Sequence, residues 1–255
     1  MNKNTLTGKK ALIFGGAGRI GSATGKYFLE HGAEVLLADR DNLTLSNVKN
    51  NYPSYVLPRC FTATLDTQSE QLETELKVAI SNTIKEVDVL INCMGYIYRA
   101  PFLEHSMDEL DILWNANVKT IFRVCQLISK LMMEREKGKI INFSSVGGTR
   151  PEQNHSGYCA VKSALIAFSK VMAVELAPYN IQVNVVGPGP TETTPFTSDY
   201  YLKHPQILKA LEEKTPMGRI GHPEDHLGLL LFLASDQSNW VTGQVILSDG
   251  GLSLV

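Results

Sequence analysis

The chain has little to offer a polyanion, a metal or a membrane. Its 24 Lys and Arg stand against 26 Asp and Glu, and the basic residues are scattered rather than blocked. That argues against a nucleic-acid partner. Only four cysteines occur, Cys60, Cys93, Cys125 and Cys159, far apart and without paired ligand spacing. Neither a disulfide framework nor a zinc site is expected, and free thiols suit a reducing compartment. Long hydrophobic runs are missing too. Ala11 to Phe14 is ended at once by glycines and is too short for a signal-peptide core. Leu227 to Ala234 falls far below the roughly 20 residues that span a bilayer. The expectation is a cytoplasmic protein with no membrane partner. With no repeat, low-complexity tract or Pro/Gly/Ser linker to divide it, 1–255 is expected to be a single domain.

What is present is enough apolar material, 44% of residues, to fill a large core. Short apolar runs bounded by glycine or polar residues recur at Lys10–Phe14, Glu34–Ala38, Val87–Asn92, Lys139–Phe143, Ile181–Val186 and Gln244–Ser248. Helix-like segments lie at Arg19–His31, Gln68–Ile84, Asn115–Glu136, Ser156–Ala177 and Pro223–Ala234. Strands without polar alternation belong in a parallel sheet covered on both faces. The pattern predicts an α/β fold, a doubly wound (Rossmann) parallel sheet with helices on both faces. The stretch 188–216 has no clear strand, and its Pro, Thr and Tyr content reads as a mobile substrate lid with a short helix.

Directly after the first strand comes Gly15-Gly16-Ala17-Gly18-Arg19-Ile20-Gly21. A helix starting there aims free N–H groups and its positive dipole end at a pyrophosphate, which glycine lets approach the backbone. Gly15, Gly18, Arg19, Ile20 and Gly21 are therefore cofactor candidates. Asp39 lies 39 − 21 = 18 residues past the last glycine, near the spacing of the dinucleotide fingerprint. Its carboxylate suits both ribose hydroxyls of NAD and repels a 2′-phosphate, although an Asp at a strand end also commonly caps the next helix. Arg19 and Arg40 would accept a 2′-phosphate. NAD is favoured, with NADP as the alternative.

Tyr158 and Lys162 stand four apart on a predicted helix, so both side chains rise on one face. Ser144 and Ser145 follow the strand Lys139–Phe143, at the carboxyl edge where such sheets bind ligands. A free tyrosine ionises near pH 10, so ionising it at neutral pH costs roughly 4 kcal/mol. A neighbouring ammonium lowers that cost and makes the phenol a usable proton donor and acceptor.

From Lys9 to Gly251 the order and spacing of these residues resemble the short-chain dehydrogenase/reductase family. The resemblance makes Ser145 the active serine, 158 − 145 = 13 residues before Tyr158, and Tyr158/Lys162 the Tyr-x-x-x-Lys motif. It implies that Tyr158 exchanges a proton with the substrate oxygen while Ser145 hydrogen-bonds it, as hydride passes to or from a nicotinamide. Lys162 would bind the nicotinamide ribose and lower the tyrosine pKa, and Asn117 would hold a water joining Lys162 to solvent. Asp66 would touch the adenine. Asn92-Cys93-Met94-Gly95 is similar to the family's Asn-Asn-Ala-Gly motif, placing Asn92 and Gly95 at the cofactor. Pro188, Gly189, Thr191 and Thr193 fall in the segment that holds the nicotinamide amide. Phe14 and Arg19 depart from the family's glycine motif, standing where a threonine and the middle glycine are usual, while Cys93 and Met94 read as core packing.

The implied activity is an NAD(P)(H)-dependent interconversion of a secondary alcohol and a ketone, with no metal. Substrate candidates in the loops over the strand ends are Tyr96, Arg99, Gly147 and Arg150; either arginine would clamp a carboxylate or simply be solvated. Within the family the chain is similar to sugar-acid and polyol dehydrogenases and to 3-oxoacyl-carrier reductases. The former is favoured because no basic docking patch for a carrier protein is legible. A different class, a catalytically silent cofactor-sensing protein, would keep the fold without the chemistry. The family commonly assembles on its two long helices, which implies a homotetramer.

Overall fold

The apolar runs are strands because each sends alternate side chains to opposite faces, and both faces are covered. The computed structural model describes residues 5–192 and 201–255. Its strands are β1 (Lys10–Phe14), β2 (Glu34–Asp39), β3 (Cys60–Thr64), β4 (Val89–Asn92), β5 (Gly138–Phe143), β6 (Ile181–Pro188) and β7 (Val245–Ser248). All pair in parallel, in the order β3-β2-β1-β4-β5-β6-β7. The helices are α1 (Arg19–Glu30), α2 (Asn42–Asn50), α3 (Leu72–Asn82), α4 (Met107–Trp114), α5 (Thr120–Met133), α6 (Ser156–Leu176), α7 (Pro205–Lys214) and α8 (Leu227–Ala234).

Ile13, Leu37, Ile91 and Ile141 pack on one face with Phe28 of α1 and Leu230 of α8. Their strand neighbours Leu12, Leu36, Leu90 and Ile140 pack on the other with Leu76 of α3, Val124 of α5 and Leu165 of α6. Every one of these side chains is essentially buried. β1 lies between β2 and β4, so the chain leaves β1 and β4 toward opposite faces and opens a crevice above their carboxyl ends.

Four local readings change. β3 was not among the apolar runs: its Thr62 and Thr64 lie at the sheet's edge, where polar side chains meet water. The helix expected from Gln68 begins at Leu72, because Asp66 accepts from the Gln68 N–H and Ser69 from the Gln71 N–H, holding that stretch as a turn. The helix expected over Asn115–Glu136 is longer and interrupted: α4 runs through a π turn at Asn115–Lys119 into α5. The first residues of the helix expected from Pro223 form a 3₁₀ turn, Pro223–His226, before α8. Within 188–216, α7 supplies a short helix; residues 193–200, Thr193 among them, lie outside the described residues.

Among the described residues no helix is long and apolar enough to cross a membrane, and no group of three or more acidic, His or Cys side chains could hold a metal.

Candidate active site

Two glycines fix the shape of the turn after β1. Gly15 has φ +77°, where a side chain is strained, and a Cβ there would lie 2.9 Å from the Met94 nitrogen. A Cβ on Gly21 would collide with the Gly15 carbonyl. Gly18, which caps α1, provides no side-chain acceptor, and the first turn holds no acid. The helix thus presents its orphan N–H groups and positive end to the crevice, an arrangement that fits a pyrophosphate. Ile20 anchors the helix start against the core. Arg19 leans across the cleft, its Nη1 2.7 Å from Glu192 Oε1, and the other Glu192 oxygen lies 3.5 Å from His222 Nδ1.

Asp39 ends β2 and accepts from the N–H groups of Ala17, 3.1 Å, and Arg40, 2.8 Å. The helix-capping alternative falls to Asp41, which accepts from the N–H groups of Leu43 and Thr44 at the start of α2. Asp39 therefore serves the glycine turn, with lone pairs left for hydroxyl donors. Arg40 is exposed beside it, and Asp66 sits exposed two residues beyond β3.

At the end of β5 the two serines divide. Ser144 is buried and donates to the Lys162 carbonyl at 2.9 Å, tying the strand to α6. Ser145 is extended, φ −164°, its hydroxyl accepts from the Gly147 N–H at 3.2 Å, and the same side chain pulls the Tyr158 phenol's pKa down. One turn along α6, Lys162 is buried, donates from Nζ to the Phe143 carbonyl at 3.0 Å and lies 5.7 Å from the Tyr158 ring centre. Burial pushes Lys162 down to about 8, so it still carries its charge at neutral pH.

Burial also pushes Tyr158 up to about 12, against the Ser145 hydrogen bond and the Arg99 charge, while Glu152 adds to the rise. The leading influences that lower it are Ser145 and Arg99, while the Lys162 ammonium donates to the Phe143 carbonyl.

Asn117 sits in the π turn. In a regular helix the Leu113 carbonyl would take the Asn117 backbone N–H. That carbonyl also accepts from the Asn117 side chain at 3.0 Å, while Nδ2 donates to the Tyr96 carbonyl as well and Oδ1 accepts from the Tyr96 N–H. A Cβ on Gly95 would lie 2.8 Å from Asn117 Oδ1 and 3.2 Å from Lys162 Nζ. Gly95 thus leaves one small polar space shared by both side chains.

Other candidates scatter. Asn92 is fully buried and donates to Asn142 and Cys125; its Oδ1 has no partner, and the side chain does not reach the cleft. Pro188 ends β6, and Gly189 and Thr191 follow it. Gly147 is buried two residues after Ser145. Tyr96 is half-exposed and donates to Glu109. Arg150 donates to the Leu252 carbonyl and lines a cavity with Glu213, Lys214, Pro216 and Val255, so it ties the loop to the end of the chain rather than facing Tyr158.

Arg99 is the one substrate candidate whose charge reaches Tyr158, and its Nε donates to His155 Nε2 at 2.7 Å. His155 Nδ1 in turn donates to the Gln153 carbonyl. His155 was missed in the sequence because its partner, Arg99, lies 56 residues earlier and no local pattern marks the meeting.

A family model described as enoyl-(acyl carrier protein) reductase matches residues 15–253. The chain is 37% identical over 251 residues to the 3-oxoacyl-(acyl-carrier-protein) reductase of Thermotoga maritima, covering 97% of this chain and 98% of that one. A solved gluconate 5-dehydrogenase from Burkholderia cenocepacia, in complex with NADP and tartrate, aligns with a TM-score of 0.91 at 28% identity, over 100% of this chain and 98% of the other. A 3-oxoacyl-(acyl-carrier-protein) reductase from Brucella melitensis with bound NAD aligns with a TM-score of 0.86, also at 28% identity, over 100% and 94%.

Proposed function

The chain belongs to the short-chain dehydrogenase/reductase family, and from that membership we propose that Tyr158, Ser145, Lys162 and Asn117 carry its chemistry. It is an NAD(P)(H)-dependent oxidoreductase that interconverts a secondary alcohol and a ketone by hydride transfer. The single observation that supports the assignment is the buried Lys162 ammonium 5.7 Å from the centre of the Tyr158 ring, on a phenol whose pKa Ser145 pulls down. The nicotinamide supplies or accepts the hydride when bound.

The protein's part is the proton. At neutral pH a phenol raised to about 12 holds its proton, so Tyr158 is loaded to protonate the oxygen of a ketone. Ser145 donates a hydrogen bond to that oxygen and stabilises the charge that builds on it. In the oxidising direction the same phenol must first lose its proton, helped by the Ser145 hydrogen bond and the Arg99 charge. A water in the space beside Gly95 would join Lys162 Nζ to Asn117 Oδ1 and carry the proton outward.

The cofactor would lie on Gly15, Gly18, Arg19, Ile20 and Gly21, with Asp39 at the adenosine ribose and Asp66 at the adenine. Gly95, Lys162, Pro188, Gly189 and Thr191 would hold the nicotinamide end. NAD is the preferred form: the Asp39 carboxylate faces the glycine turn, where a 2′-phosphate would be repelled. Arg40 is the residue that would carry NADP.

The substrate reading is a sugar acid or polyol. Arg99, steered by His155 toward the phenol, is placed to hold a carboxylate or hydroxyls near the reacting carbon. The Thermotoga relative favours a 3-oxoacyl carrier substrate instead. Turnover of gluconate, other sugar acids and polyols against a 3-oxoacyl thioester, with both cofactors, separates the two. Thioester turnover that exceeds every sugar substrate overturns the first reading. Arg99→Ala is expected to raise KM for carboxylated substrates while leaving neutral ones nearly unchanged.

The assembly is a cytoplasmic homotetramer. An apolar groove on the α5/α6 face, lined by Trp114, Val118, Phe122, Ala164, Ala167 and Phe168, supports that reading. Sedimentation of Phe122→Glu as a smaller species than the parent protein is the expected result, and an unchanged mass overturns the groove as the interface.

A further inference from the structure

We infer that His226 is a positioning residue for the loop that follows β6, holding Thr191 and its backbone in the shape that receives the nicotinamide end of the cofactor. The inference rests on the cofactor reading given above and adds to it a residue that belongs to neither the glycine turn nor the helix that carries Tyr158.

His226 ends the 3₁₀ turn ahead of α8 and is 1% exposed. Its Nδ1 lies 2.8 Å from the Ser248 hydroxyl and its Nε2 3.2 Å from the Thr191 hydroxyl. The Thr191 hydroxyl donates to the Gly189 carbonyl at 2.9 Å. Counting protons sets the roles. Thr191 has one hydroxyl proton and spends it on Gly189, so toward the ring it offers only lone pairs, and Nε2 must carry the hydrogen. Nδ1 is then bare and accepts from Ser248. One directed chain runs from the end of β7, through the imidazole, to the loop just beyond β6.

The backbone closes the same ring from outside. Gly189 donates to the Ser248 carbonyl at 3.1 Å, Gly221 donates to the Pro190 carbonyl at 2.8 Å and Glu192 donates to the Gly221 carbonyl at 3.0 Å. The four residues of the loop are thus held on three sides, and the Ser248–His226–Thr191 chain adds a buried side-chain link to these backbone bonds. An apolar side chain would fill the space as well if bulk were all that mattered. A buried imidazole and hydroxyl are costly unless each satisfies the other, and what they add is direction. Burial moves the ring's pKa down against the pull of Asp225, which keeps the imidazole in the neutral form this bonding needs.

The test compares His226→Leu, which keeps bulk without donors, His226→Gln, which restores an N–H donor, and Thr191→Val in the full chain. Fluorescence titrations measure the Kd of NADH and NADPH, taking whichever the parent protein binds more tightly, and the Kd of ADP, which has no nicotinamide; melting curves monitor folding. The His226→Leu and Thr191→Val proteins are expected to bind the dinucleotide about tenfold more weakly, the effect of one net hydrogen bond, with ADP unchanged. Their double variant should be no worse than either alone, and His226→Gln should recover most of the loss.

Equal weakening of ADP and dinucleotide, additive losses, or no loss in Thr191→Val overturns the inference. Should His226→Leu fail to fold, Thr191→Val and His226→Gln decide by the same criteria. A parent protein that binds the dinucleotide no better than ADP overturns the nicotinamide assignment of the loop itself. Normal discrimination in the parent, left intact in every variant, overturns the role of His226 alone.

Discussion

The two edges of the sheet treat charge in opposite ways. At the amino edge, where β1, β4 and β5 begin, Asp88 is nearly buried and bound by Arg135 at 2.9 Å, Lys137 at 3.1 Å and the Lys10 N–H at 3.0 Å. Lys139 is buried with its Nζ on Ser238 and Asn239, and Lys9 pairs with Asp236. Charges there are answered by other groups of the chain. At the carboxyl edge the start of α1 is uncapped, Asp39 keeps spare lone pairs, and the phenol of Tyr158 is held far from its ordinary ionisation. A parallel sheet concentrates strand-to-helix loops at the carboxyl edge, so the edge left unsatisfied is the one that can meet a ligand.

That contrast breaks if residues of one edge behave like those of the other. Tyr158→Phe is expected to lower kcat by about 1,000-fold while cofactor affinity and melting temperature stay near the parent values; steady-state kinetics beside a melting curve decides, and a near-normal rate ends the assignment. Asp88→Asn should do the reverse, costing about 1–3 kcal/mol in urea denaturation with kcat/KM unchanged.

Its pH signature sharpens the point. Burial pushes the Asp88 carboxyl up, but hydrogen bonds from Arg135 and Lys137 outweigh it and hold the group below the ordinary value of 3.8. A folded pKa below the unfolded one gives a contribution that is complete above the unfolded value and lost as the pH falls through the folded one. The parent should therefore lose more stability than Asp88→Asn on acidification from pH 5.

A smaller effect is expected at Asp39→Ala, which should narrow the preference for NAD over NADP by about tenfold, read from the ratio of kcat/KM values. A parent that already prefers NADP contradicts the cofactor choice.

The smallest effect belongs to Lys139→Met. Burial holds the Lys139 ammonium down at about 8, against 10.5 in the unfolded chain. Between those values the unfolded chain binds more protons, so parent stability should rise with pH. Below pH 8 the burial cost is borne in full. Lys139→Met should melt a few degrees higher at pH 7 and lose the alkaline rise; an unchanged slope from pH 8 to 10 contradicts this account.

The strands were legible where both faces are buried, as in β1 and β6, because a continuous apolar run has few other uses. β3 escaped because Thr62 and Thr64 break the run, and α2 because it buries only Leu45. Helical spacing placed Tyr158 and Lys162 on one face, and only the family resemblance gave the pair a role. A place just past an apolar strand offered Ser144 and Ser145 alike, and the family resemblance chose Ser145. The contacts of Arg99 with His155, Arg19 with Glu192 and His226 with Thr191 span 56, 173 and 35 residues. Such meetings are created by the sheet order and leave no trace in local pattern. The choice between Asp39 and Asp41 as helix cap needed backbone positions as well.

The π turn between α4 and α5 sets local helical economy against aim. Its wide turn sends the Thr120 N–H to the Asn115 carbonyl, five residues back, and the Asn117 side chain donates to the Leu113 carbonyl. In effect the helix carries one residue more than its hydrogen-bond ladder requires. Deleting a single residue from Asn115–Lys119 would restore a continuous ladder and swing everything on one side by about 100° relative to the other. The repaired helix would be the more regular one, yet Asn117 or the α5 face packed on the sheet would be turned away from its partners. The extra residue thus lets one helix face both the core and the polar space beside Gly95.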